Sequence, residues 1–128
     1  MSPRGRAAAP GERTLFLHGG LAAPGERAEW LAALGPRPAT VGGRLWRGEG
    51  REGVLVPEAG VGTVSGVCVE VDPGRLAVIE LLAQGPHQER LEIEVRVGLR
   101  LVRALTWGIP TASRAYHLGY RPSPRPTR

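Results

Sequence analysis

Two short stretches carry the residues whose types and spacing can do chemistry. The first, Thr14-Leu-Phe-Leu-His-Gly-Gly-Leu21, is an apolar run that ends in a histidine and two glycines. A strand that breaks into paired glycines exposes backbone N–H groups, and with no Cβ at Gly19 or Gly20 an anionic or carbonyl oxygen can come close to them. The same pattern also serves as plain turn chemistry. His18 is the titratable group of this turn, or a hydrogen-bonded structural residue at a strand end. The second stretch, Glu80-Leu-Leu-Ala-Gln84, sets a carboxylate and an amide one helical turn apart. A strand-to-glycine turn of the first kind suggests a pocket for a small molecule.

The other reactive side chains read as structural. Cys68 lies inside an apolar alternating run, where a thiol is buried and inert, and a lone cysteine forms no disulfide framework or zinc site. His87 follows Gly85-Pro86 in a surface loop, and His117 falls in a polar C-terminal stretch. Trp46 and Trp107 stand at strand ends, where they line a pocket wall or fill core, and Trp30 belongs to a helix that packs on the sheet.

Length and composition bound the remaining choices. The chain has 128 residues, enough for one domain with one core, and no apolar stretch that could cross a bilayer. Its N-terminus is basic without an apolar segment, so no secretory signal is expected and a cytoplasmic location is the default expectation. All 17 basic residues are arginine, and the net charge is +5. Residues 1–13 carry +2 and residues 110–128 carry +4, which leaves −1 for the stretch between them. The basic charge thus belongs to Pro- and Gly-rich ends, and nucleic-acid binding would have to rest on those tails.

The elements that must position these residues follow from periodicity. Residues 1–13 read as a disordered basic tail, 14–109 as the folded domain, and 110–128 as an extended Pro/Arg-rich tail whose order decays after Gly108. Pro24 to Leu34 is predicted as a short helix stopped by Gly35-Pro36. Val41–Trp46 and Val54–Pro57 read as strands around a glycine-rich loop, Arg47–Gly53. Thr63–Val71 is a strand with Val67, Val69 and Val71 on one face and Cys68 and Glu70 on the other. Asp72-Pro73 starts a helix that runs to about Ala83 with Leu76, Ile79 and Ala83 as its buried stripe. Leu91, Ile93, Val95 and Val97 mark a half-exposed strand, paired with Leu99–Trp107 through a turn at Gly98 that must borrow flanking residues, since a one-residue link is too short. This order does not repeat as βαβ units, so the fold class is α+β, with a small, curled, mixed sheet flanked by two short helices.

In order and spacing these segments resemble the gamma-glutamylcyclotransferase family over roughly Leu15 to Trp107. His18-Gly19-Gly20-Leu21 stands where the family has a Tyr-Gly-Ser-Leu type loop. Gly43-Arg-Leu-Trp46, Gly53-Val-Leu-Val-Pro57 and Val64-Ser-Gly-Val-Cys-Val-Glu-Val-Asp72 are similar to its middle stretch, and Ala104-Leu-Thr-Trp107 to the end of its closing hairpin. The resemblance implies a barrel-like closed sheet and one pocket needing no metal or organic cofactor. It also implies a reaction in which a glutamate after the second helix deprotonates an α-amine, which attacks the γ-carbonyl and releases 5-oxoproline and an amine.

At that glutamate the chain departs from the family: it reads Ala83-Gln84-Gly85 where the family has Glu-Gly. An amide takes up no proton near neutral pH, and a lost general base removes roughly 100- to 10,000-fold in rate. Glu80 is the replacement candidate, although four residues of helix displace it by about 6 Å. The resemblance makes His18, Gly19, Gly20, Leu21 and Gln84 the substrate-binding candidates and Glu80 the catalytic one. Three readings follow: a divergent cyclotransferase acting on a γ-glutamyl amine or related small amide, with Glu80 or His18 as base; a non-catalytic module that binds a small carboxylate or amide, or a protein partner; and a nucleic-acid accessory module using arginine tails.

Overall fold

The computed structural model describes residues 13–19, 28–48, 50–83 and 85–124. The elements in chain order are β1 (Arg13–Leu17), α1 (Ala28–Ala32), β2 (Arg37–Gly48), β3 (Arg51–Pro57), β4 (Thr63–Val71), α2 (Pro73–Ala83), β5 (Glu89–Val97), β6 (Arg100–Gly108), α3 (Ala112–His117) and β7 (Arg121–Pro122).

Five strands close on themselves in the order β2-β4-β1-β6-β5, and the ring is completed where Thr40 of β2 pairs with Arg96 of β5. Every pairing is antiparallel except β1 with β6, which run parallel at Leu15 and Leu105. A closed sheet has no free edge within the ring, and its inward side chains must fill it. Phe16, Ala39, Val41, Val64, Cys68, Val95 and Ala104 form that inner cluster, joined by Leu55 of β3. The outward faces of β1, β4 and β6 are apolar as well: Leu15, Leu17, Val69, Val71, Leu105 and Trp107 pack under Leu31 of α1 and Ile79 of α2. A strand covered on both faces reads as a continuous apolar run, which accounts for Leu15, Phe16 and Leu17 all being buried.

Several expected elements are found with their expected faces. β4 spans Thr63–Val71, with Val69 and Val71 toward the helices and Cys68 toward the barrel interior. α2 starts at Pro73, and the Asp72 carboxylate accepts the Arg75 backbone N–H at 2.8 Å, capping the helix. Ile79 is buried, and Leu76 and Ala83 pack beside it. The α+β class with a closed mixed sheet holds, with three short helices where two were expected.

Two expectations are corrected, and the turn expected to extend beyond Gly98 is defined. The glycine-rich stretch after Trp46 is not a loop: the ladder between β2 and β3 continues to Gly48 and Arg51, past an irregularity after Trp46. Backbone pairing needs no apolar side chains, so composition concealed it. The hairpin joining β5 and β6 turns through two residues, Gly98 and Leu99, closed by the Val97–Arg100 pair. Beyond Gly108 order does not decay. Thr111 caps α3 by accepting the Arg114 N–H at 3.1 Å, and Ile109, Ala115 and Tyr120 are buried against Trp46, Val54 and Val56. These apolar anchors are spaced among prolines and arginines, and they outweigh the polar composition around them. His117 is accordingly the last residue of α3, and exposed. Residues 1–12, 20–27 and 125–128 lie outside the described residues, and with them the first turn of the first expected helix, before Ala28, and the bulk of the basic tail expected at the N-terminus. Among the described residues no helix is long and apolar enough to cross a membrane.

Candidate functional site

The parallel pairing of β1 and β6 decides where the site residues gather. Leu15 is in register with Leu105, so the carboxyl ends of the two strands, Leu17 before His18 and Trp107 before Gly108, emerge at the same end of the barrel. The hydroxyl of Thr106, buried, donates to the Phe16 carbonyl at 2.9 Å and ties the strands together one residue before the turn. Gly108 packs so closely that a Cβ there would stand 2.3 Å from the Leu55 carbonyl oxygen, while Ile109 N–H donates to that same oxygen at 3.0 Å.

α2 brings Glu80 to this end. The helix begins after Val71, which pairs with Arg13 at the opposite end of β1. Eleven residues of helix advance about 16 Å, and five of strand about 17 Å, so the last turns of α2 lie near the exit of β1. There the Glu80 carboxylate accepts two hydrogen bonds from the Arg90 guanidinium, at 2.7 and 3.1 Å, and a long one from the Trp107 indole N–H at 3.5 Å. Arg90 itself pairs with Trp107 in the β5–β6 ladder. Hydrogen bonds from Arg90 hold the Glu80 carboxyl below the ordinary carboxylate range, reinforced by Trp107 and the positive charge and opposed by partial burial.

His18 stacks on Phe16, with ring centroids 5.9 Å apart. Its Nδ1 is buried and has no partner among the described residues, and burial lowers its pKa, so the ring is neutral at physiological pH. Gly19 follows at φ 62°, a left-handed conformation that glycine adopts without cost. Of the residues expected in the site, His18, Gly19 and Glu80 are described, and the strand register and helix length bring them to one end of the barrel. Gly20, Leu21 and Gln84 lie outside the described residues.

Arg90 and Trp107 complete the Glu80 cluster, and sequence reasoning missed their role. Both are separated from Glu80 by a loop or a hairpin, so no local spacing signals the contact. Trp107 and Trp46 are core residues, and Trp30 of α1 is partly buried against the sheet, as expected. His87 sits in an exposed turn at φ 77°, with its Nδ1 3.4 Å from the Tyr120 hydroxyl. Described residues line a cleft beside Arg37, Cys68 and Glu70 and another between the start of β4 and the end of β7; His18, Gly19 and Glu80 line neither. Among the described residues no group of three His, Cys, Asp or Glu side chains is arranged to hold a metal ion.

The sequence matches no family model and no curated protein sequence. Its fold is shared with two solved structures. YkqA from Bacillus subtilis superposes with a TM-score of 0.60 at 16% identity, over 78% of this chain and 36% of YkqA. At3g28950.1 from Arabidopsis thaliana superposes with a TM-score of 0.59 at 20% identity, over 80% of this chain and 65% of its own length. This chain therefore spans little more than a third of the first protein and just under two thirds of the second. At such identities the likeness establishes a common closed-barrel architecture.

Proposed function

We propose that this protein is a divergent member of the gamma-glutamylcyclotransferase-like fold that binds a small ligand bearing a carboxylate or amide at the His18–Gly20 turn, without turnover through Glu80. The observation that carries this reading is the engagement of Glu80 by Arg90 and Trp107. A carboxylate held in its ionised form by a two-point guanidinium contact is a weaker proton acceptor than a free one, and the position where the resemblance expects the base holds Gln84. Glu80 then fixes α2 against the β5–β6 hairpin.

One observation favours a second, catalytic reading. Burial lowers the His18 pKa and so favours the neutral imidazole that a general base requires. In that reading His18 accepts a proton from the ligand's α-amine, the nitrogen attacks the γ-carbonyl, the γ-amide C–N bond breaks, and the departing amine takes the proton.

A panel of γ-glutamyl amines and dipeptides separates the two. Thermal stabilisation without 5-oxoproline supports the binding reading, since a ligand selective for the native state stabilises by mass action. Release of 5-oxoproline that disappears in His18→Gln supports the catalytic one. Neither stabilisation nor product removes both.

A further inference from the structure

β2 pairs with β4 up to Gly42 and with β7 from Trp46 onward, leaving Gly43, Arg44 and Leu45 outside both ladders. The change of partner is written into the sequence. Gly43 adopts φ 147°, and a Cβ there would stand 2.5 Å from the Val56 carbonyl oxygen, so the strand can bend at this point only with glycine. On one side the Gly43 N–H donates to the Gly62 carbonyl at 3.0 Å; on the other the Ser123 N–H donates to the Leu45 carbonyl at 2.9 Å. These bonds fix two walls of a cleft of about 440 Å³.

Leu45, Val64 and Pro124 make part of the lining apolar, Thr63 and Ser65 add hydroxyls, and Arg44 is the one charged side chain among the described lining residues. Arg44 is half-buried, and it takes part in none of the five ion pairs among the described residues. Among the described residues no carboxylate lines the cleft. A guanidinium drawn partly out of water without a counter-charge is matched by an anion, and the apolar wall by a hydrocarbon body. The volume lies within the range of about 300–1,000 Å³ usual for small-molecule sites.

We propose that this cleft binds a small amphipathic monoanion of the medium-chain carboxylate type. Its head group rests on Arg44 and the Thr63 and Ser65 hydroxyls, and its chain lies along Leu45, Val64 and Pro124. The site shares no residue with His18, Gly19 or Glu80 and stands independently of the function proposed for them.

The test uses octanoate as the probe and 1-octanol as its uncharged counterpart, titrated into the full chain while backbone amide shifts and affinity are followed. Octanoate is expected to shift the amides of Gly43–Leu45, Thr63–Ser65 and Ser123, with octanol bound at least about tenfold more weakly. Arg44→Gln should weaken octanoate by about tenfold or more and leave octanol unchanged, while Arg44→Lys, which keeps the charge, should retain most of the affinity. If Arg44→Gln does not fold, the contrast between octanoate and octanol on the native chain and on Arg44→Lys decides alone. Equal affinity for octanoate and octanol, shifts confined to the His18–Gly19 turn, or no shifts at all would overturn the proposal.

Discussion

The Arg90 guanidinium grips both carboxylate oxygens of Glu80, at 2.7 and 3.1 Å, and so fastens the exposed side of α2 to the first strand of the β5–β6 hairpin. Both side chains are partly exposed, 28% for Glu80 and 42% for Arg90, which keeps the energy modest. Glu80→Gln should cost about 0.5–1 kcal/mol of stability, measured by urea unfolding.

The pH dependence of that contact has a defined sign. Arg90 lowers the native pKa of Glu80 below its unfolded value, so the unfolded chain binds more protons in the acid range. The contribution is complete above about pH 5 and is lost as pH falls through the native pKa. The stability difference between the native sequence and Glu80→Gln should therefore be constant near neutrality and shrink on acidification.

His18 gives a second window, at higher pH. Burial lowers its native pKa below the unfolded value of about 6.5, so the native state resists protonation and stability falls as pH drops below that value. His18→Gln should flatten this part of the stability profile, as followed by thermal unfolding between about pH 5 and pH 7. A slope unchanged by the substitution would place its source elsewhere.

Cys68 is fully buried inside the barrel, and burial raises its thiol pKa, with Glu70 adding to the effect and Arg37 opposing it. A thiol-specific reagent should modify the native chain slower than the urea-unfolded chain by roughly a thousandfold, the factor that a few kcal/mol of opening imposes.

The C-terminal segment should prove integral to the fold. Tyr120 is buried against the Trp46 cluster, and its backbone N–H donates to the Ala115 carbonyl at 2.9 Å. Tyr120→Ala should cost about 3 kcal/mol by calorimetry, the scale of removing a buried aromatic ring. A change within the error of the measurement would mean that residues 109–124 do not pack on Trp46 in solution.

Periodicity made much of this molecule legible. The alternation of β4 and β5, the Asp72-Pro73 helix start and the stripe of Leu76, Ile79 and Ala83 are local patterns that tertiary contacts reinforce. What was hidden depended on long-range pairing. Nothing near Trp46 signals that the glycine-rich stretch continues a ladder, and nothing near Ala115 signals that a proline- and arginine-rich segment covers that tryptophan. At the candidate site the strand-to-glycine turn and Glu80 were recognisable by type. Arg90 and Trp107 were not, because the closed barrel alone brings β5 and β6 beneath α2. The Arg44 cleft was hidden for the same reason, since it arises where β2 exchanges one partner strand for another.

The proposed role of Glu80, bracing the structure without moving a proton, has a direct test. Incubating a γ-glutamyl amine in parallel with the native chain and with Glu80→Gln, and quantifying 5-oxoproline in both, addresses it most directly. No product that depends on Glu80 is expected. Production of 5-oxoproline by the native chain that is abolished in a correctly folded Glu80→Gln variant would contradict it.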